Sequence, residues 1–177
     1  PAGLPDALVI TPAIHRDARG WFSESWNERD FAAATGLDLH FVQDNHSSSA
    51  RHVLRGLHYQ IGTPQGRLIR VIAGAVFDVI VDLRRHSPAF GSWNGRELSA
   101  ANRQMLWVPP GFAHGFLALE EKSEILYKTT TYWSPSAERS LLWNDPDLGI
   151  TWPLQGAPQL SAKDQAGIPL RNAETYP

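Results

Sequence analysis

Arg67-Leu68-Ile69-Arg70-Val71-Ile72-Ala73-Gly74-Ala75-Val76-Phe77-Asp78-Val79-Ile80-Val81-Asp82-Leu83 is the stretch that decides the fold. Two runs, Arg67–Ile72 and Val76–Leu83, are rich in β-branched residues, which suit a pleated surface. Ala73-Gly74-Ala75 joins them. In the second run Phe77, Val79 and Val81 share one face, while Asp78, Ile80 and Asp82 share the other. Toward the C-terminus Ser92–Leu98, Gln104–Val108, Gly115–Leu119 and Glu124–Trp133 read as further strands, each bounded by Gly, Pro, Asn or Ser. Toward the N-terminus Val53–Gln60, Phe41–Ser47 and Ala7–Pro12 do the same, with a loop at Ser47-Ser48-Ser49. Asp17-Ala18-Arg19-Gly20 is a turn, after which Trp21–Trp26 alternates aromatic with polar residues.

One helix is clear. Asn27 is its N-cap, it runs from Glu28 to Thr35, Glu28 and Asp30 sit at its positive end, and Gly36 closes it. From about Ser134 the pattern weakens into proline-rich connections, and Ser161-Ala162-Lys163-Asp164 resembles a capping box for a short last helix. Many short strands with one firm helix predict an antiparallel sandwich or small barrel. No repeat, low-complexity segment or linker divides residues 1–177, so one domain is expected.

Composition narrows the function classes. The chain has 177 residues, 42% hydrophobic and 19% charged, enough for one domain with a core. Seven Trp, seven Phe and four Tyr are a generous aromatic supply, and 14 Gly with 13 Pro suit many turns. The formal net charge is −2, which does not suggest a nucleic-acid partner. The absence of Cys excludes disulfides, thiolate nucleophiles and Cys-ligated metals. No apolar run approaches the roughly 18 residues of a membrane span, and the N-terminus lacks a basic-then-apolar signal pattern. A cytoplasmic protein without membrane association is the expectation.

The chemistry centres on Arg55-Gly56-Leu57-His58-Tyr59-Gln60 and Gln65-Gly66-Arg67-Leu68. Strict alternation would send Arg55 and His58 to opposite faces. A bulge at Gly56 would let both point into one cavity. Trp107-Val108-Pro109-Pro110-Gly111-Phe112-Ala113-His114 carries a P-x-G-x-x-H spacing that resembles the second motif of the cupin superfamily. Its Pro and Gly predict a tight hairpin that delivers His114 to the next strand; a core histidine satisfied by a backbone carbonyl is the competing reading. The seven histidines contain no H-x-H or H-x-x-x-H pair, and Gln60 stands where a metal-binding barrel more often has a second His. No metal site is therefore expected. In Ser123–Trp133 alternation puts Tyr127 and Trp133 on one face, a phenol and an indole that would serve a cavity if that face lines one and core packing if it does not. Asp164 becomes significant if it reaches a histidine, because a carboxylate behind an imidazole fixes its tautomer and raises its basicity.

Together these motifs resemble the dTDP-4-dehydrorhamnose 3,5-epimerase family of dTDP-sugar epimerases. D-A-R-G-W-F-S-E-S, F-V-Q-D-N-H-S, V-L-R-G-L-H-Y-Q, Q-G-R-L-I-R-V, W-V-P-P-G-F-A-H-G-F, L-Y-K-T-T-T-Y-W-S-P and L-S-A-K-D follow the family's order along nearly the whole chain. The resemblance implies an all-β, cupin-type jelly-roll barrel with short peripheral helices, without cofactor or metal, working as a homodimer on a dTDP-sugar. It implies catalytic His58 as base, Asp164 as its paired carboxylate and Tyr127 as proton donor. It implies substrate contacts by Arg55, His114, Gln43, Asp44, Asn45, Glu138 and Lys163. Trp133 falls where the family has a Tyr that stacks on thymine. Arg19 and Glu24 match nucleotide contacts, with the N-terminal segment reaching the dimer partner's site. Arg67 departs from the family's Lys, the cation at the enolate oxygen; it keeps the charge on a longer, forked head.

The implied reaction fits these residue types. Protons on C3 and C5 of a 4-keto sugar are both α to the carbonyl, so one cation beside the ketone oxygen serves both inversions. Inversion needs a base on one face of the ring and an acid on the other, roles that suit His58 and Tyr127. The alternatives are an epimerase of C3 or C5 alone in another dTDP-4-keto-deoxysugar pathway, and a non-catalytic sugar-nucleotide-binding cupin. Asp78 is expected to support Arg67 by pairing with it.

Overall fold

Alternation along the strands builds two facing sheets, each covered on its outer side. The computed structural model describes residues 2–177. The strands are β1 Leu8–Ile10, β2 His15–Asp17, β3 Gly20–Phe22, β4 Gln43–Ser49, β5 Leu54–Gln60, β6 Arg67–Ala73, β7 Ala75–Asp82, β8 Trp93–Ser99, β9 Met105–Val108, β10 Phe112–Ala118, β11 Ser123–Thr129 and β12 Glu138–Ser140; the helices are α1 Glu28–Thr35 and α2 Ala162–Gln165. One five-stranded sheet has the order β1-β9-β6-β11-β4, and the other β12-β5-β10-β7-β8. All their named pairings are antiparallel. From β4 onward the chain changes sheet at every connection except β7 to β8, the winding of a jelly roll.

Three clusters explain why so many strands are apolar on both faces. Ile69, Val71, Leu106 and Ile125 meet Val76, Ile80, Leu98, Phe112 and Phe116 between the sheets. Leu54, Leu57, Val79, Val81 and Leu117 point out of the second sheet and are covered by the C-terminal arm through Leu141, Leu148 and Trp152. Leu68, Met105 and Trp107 point out of the first and are covered by Phe31 of α1, with Trp26 and Phe41 beside it. Each fully buried large side chain contributes roughly 1.5–3 kcal/mol of transfer free energy. Among the described residues no helix is long and apolar enough to cross a membrane.

Helix α1 matches its sequence signals. The Asn27 side chain accepts from the Asp30 N–H, and Gly36 closes it in the left-handed region at φ 72°. Four expectations need correction. Ser47-Ser48-Ser49 is not a loop but the end of β4, paired with Ile125, Glu124 and Ser123 of β11. Pro109–Gly111 is not a hairpin, because β9 and β10 lie in different sheets; the turn carries the chain across the sandwich. The strand expected to reach Trp133 ends at Thr129, where side-chain amides take over the backbone groups of the following loop. Glu138–Ser140 is a strand hidden in the proline-rich region, paired with the edge of β5.

Candidate active site

Gly56 shapes the site. His114 pairs with His58, whereas Phe116 pairs with Arg55, so β5 carries one extra residue against β10. That bulge turns Arg55 and His58 toward the same side. Gly56 has φ 119°, and a Cβ there would lie 2.6 Å from Gly115 Cα and 2.9 Å from the His114 carbonyl oxygen. Only glycine supports this backbone approach.

His58 meets Asp164 at the centre. Its Nε2 lies 2.5 Å from Asp164 Oδ1. The short helix α2 delivers that carboxylate: the Ser161 hydroxyl accepts from the Asp164 N–H at 3.1 Å and donates to Asp164 Oδ2 at 2.8 Å. The Gly56 N–H adds a contact to Oδ1 at 3.4 Å. Burial alone would raise the Asp164 pKa, but the His58 ring, the Ser161 hydroxyl and the Gly56 N–H together hold it below the usual carboxylate range. An ionised Asp164 only accepts, so His58 donates from Nε2, and in the neutral ring the lone pair is on Nδ1.

A cavity of about 270 Å³ is lined by Gln43, Asn45, His58, Gln65, Arg67, Tyr127, Trp133 and Glu138. A second chamber of about 400 Å³ shares His58 and adds Arg55, Lys163 and Asp164. Lys163 and Glu138, one from each chamber, form a 2.7 Å ion pair. Burial would raise the Glu138 pKa; the Lys163 ammonium overrides it and holds the carboxyl below its ordinary value. Arg67 is almost wholly enclosed, at 9% exposure. Burial lowers its pKa, opposed by the fields of Tyr127, Tyr176, Glu138 and Asp78. A guanidinium still carries its charge under such a shift.

Three glutamines hold the wall that carries Trp133. Gln60 donates to the Tyr132 carbonyl at 3.3 Å and accepts from the Ser134 N–H at 2.8 Å. Gln65 donates to the Thr131 carbonyl at 2.8 Å, and Gln43 accepts from the Trp133 N–H at 3.1 Å. Gln60 is therefore a loop anchor. Among the described residues no group of three or more His, Cys, Asp or Glu converges as a set of metal ligands.

The structure brings together His58, Asp164, Tyr127, Gln43, Asn45, Arg55, Arg67, Trp133, Glu138 and Lys163. It does not bring in Asp44, which alternation turns to the outer face, where it pairs with Lys128 at 3.0 Å. His114, expected against the substrate, stands behind the cavity wall: it is 7% exposed, with Nε2 2.9 Å from Asp78 and Nδ1 3.4 Å from Arg67. Asp78 thus reaches Arg67 through His114, rather than directly as expected. Within one chain Arg19 lies on the β2–β3 hairpin, paired with Asp17, and Glu24 lines a separate cavity beside α1. Gln65 was not foreseen as a cavity residue. Its signal was the two-residue spacing to Arg67, which puts both side chains on one side.

Comparison with known proteins gives the chain its relatives. The family model described as dTDP-4-dehydrorhamnose 3,5-epimerase matches residues 1–172. A dTDP-4-dehydrorhamnose 3,5-epimerase of Pseudomonas aeruginosa is 55% identical over 98% of this chain and 96% of its own length. One from Salmonella typhimurium is 54% identical over 92% of this chain and 90% of its own. A crystal structure of dTDP-6-deoxy-D-glucose-3,5-epimerase from Legionella pneumophila, in complex with dTDP-4-keto-L-rhamnose, superposes with a TM-score of 0.94 at 45% identity, covering 97% of this chain and 92% of that one.

Proposed function

The chain belongs to the dTDP-4-dehydrorhamnose 3,5-epimerase family, and from that premise we propose that it inverts C3 and C5 of dTDP-4-dehydro-6-deoxy-D-glucose to give dTDP-4-dehydro-L-rhamnose. One observation carries this reading: a single cavity is lined by His58, Tyr127 and Arg67. His58, with Asp164 behind Nε2, takes the α proton through Nδ1. The electrons move onto the C4 oxygen, and the Arg67 guanidinium stabilises the enolate. Tyr127 returns a proton from the other face of the ring. The same cation serves the second carbon, since both protons are α to one ketone.

Trp133, 55% exposed at the rim, stacks on the thymine. Arg55 and Lys163 offer positive charge to the diphosphate. The working form is a homodimer in which Arg19 and Glu24 enter the partner's site. The exposure of Trp21 (56%) and Phe22 (67%) on the β2–β3 hairpin supports that reading. The product is an activated sugar for surface polysaccharide, made in the cytoplasm.

The test is turnover of dTDP-4-dehydro-6-deoxy-D-glucose with a downstream reductase trapping the product. The expected product is dTDP-L-rhamnose. No product, or a sugar inverted at one carbon only, would overturn the proposal.

A further inference from the structure

Asp78 on β7 is wholly buried, at 0% exposure. Its Oδ2 lies 2.9 Å from His114 Nε2, and its Oδ1 has no hydrogen-bond partner among the described residues. A buried carboxylate with one empty oxygen is costly unless a positive charge lies near. Arg67 is that charge, with His114 between the two groups. Arg67 Nη1 is 3.4 Å from His114 Nδ1, and Nη2 is 3.4 Å from Gln65 Oε1.

The chemistry of the donors fixes the proton. A guanidinium can only donate, so His114 Nδ1 must be bare. The ring proton then sits on Nε2, where Asp78 accepts it. Moving that proton to Nδ1 would set an N–H against an N–H and push the guanidinium away. The other charged or titratable groups acting on Arg67 are Tyr127, Tyr176 and Glu138.

We infer that Asp78 is a positioning residue: by keeping the proton on Nε2 of His114 it leaves Nδ1 to hold Arg67, and so aims the guanidinium at the cavity. This rests on the epimerase reading, in which Arg67 meets the enolate oxygen. The forked head is what makes the arrangement work. Two N–H groups are tethered, to His114 and Gln65, while the rest remain for the substrate.

The test combines nitrogen NMR of the His114 ring in ligand-free protein with a double-mutant cycle of Asp78→Asn and Arg67→Ala. The wild-type ring should be the neutral Nε2–H form, and Asp78→Asn should move the proton toward Nδ1. On the wild-type background Asp78→Asn should lower kcat roughly tenfold or more, with KM within about twofold, as for loss of an orienting carboxylate. On the Arg67→Ala background it should change kcat by less than about twofold, because the group it positions is gone. A wild-type ring protonated on Nδ1 overturns the inference without any variant, as do losses that simply multiply. A wild type with no epimerase turnover would refute the functional reading instead, and the NMR would still decide where the proton lies.

Discussion

Two histidine–carboxylate pairs stand side by side in this molecule, and they differ in what holds the second ring nitrogen. His58 and His114 are register partners on β5 and β10. His58 lies 2.5 Å from Asp164, and its side chain keeps 24% of its exposure. His114 lies 2.9 Å from Asp78, with side-chain exposures of 8% and 0%. Asp164 is satisfied at both oxygens, by His58 and Ser161. Asp78 is satisfied at one. The Nδ1 of His114 is occupied by Arg67, while His58 presents its own ring to the cavity. The same residue pair therefore leaves one imidazole facing a cavity in one place, and in the other turns both ring nitrogens to protein groups.

Removing each imidazole breaks this comparison most strongly. His58→Ala should cut kcat about 10³-fold or more, as for loss of a general base, and should lower the melting temperature less than His114→Ala does, because Ser161 and the Gly56 N–H still satisfy Asp164. His114→Ala should instead strand the buried Asp78 charge and cost about 3 kcal/mol of stability. Activity assays beside thermal melts separate the two; equal effects on kcat with no loss of stability in His114→Ala would erase the distinction.

Gly56→Ala strikes both pairs at once. The added Cβ meets the backbone of Gly115 and His114 at 2.6 and 2.9 Å, so about 3 kcal/mol of stability should be lost. Denaturant midpoints measure this, and an unperturbed midpoint would mean that the bulge relaxes easily.

Asp164→Asn should lower kcat about 10²-fold or more while leaving the fold intact, since the amide no longer selects the His58 tautomer. The variant also changes the acid limb of stability. The folded-state pKa values of Asp164 and Glu138 are both depressed, so their contribution is present at neutral pH and is lost as pH falls below about 4. Asp164→Asn and Glu138→Gln should each flatten that loss in unfolding curves measured across pH.

Trp133→Ala should act least on the chemistry. Loss of base stacking should raise KM roughly tenfold with kcat nearly constant. A large fall in kcat would show that the indole also shapes the reacting end of the cavity.

The sequence was informative wherever a local rule operates. Asn27 and Gly36 bound α1 correctly because capping is set by neighbours within one turn. Gly56 announced the bulge because a glycine inside a strand pattern weakens it without some such purpose. Ser161 announced α2, and with it the place of Asp164. Asp44 could have been set apart by alternation alone, since its neighbours Gln43 and Asn45 point the other way. What sequence could not carry was pairing across strands. Nothing local says that Asp78 finds His114 before Arg67, or that Pro109–Gly111 joins two sheets. Glu138–Ser140 is a strand only because the edge of β5 accepts it. The proposed reach of Arg19 and Glu24 toward a partner would belong to an assembly, and their surroundings in one chain carry no signal for it.

The most direct measurement is deuterium incorporation from D2O at C3 and C5 of the keto sugar, followed by NMR for the wild type and His58→Ala. The wild type should exchange and invert both carbons, and His58→Ala should exchange neither. Exchange that persists in His58→Ala would contradict the assignment of that imidazole as the base.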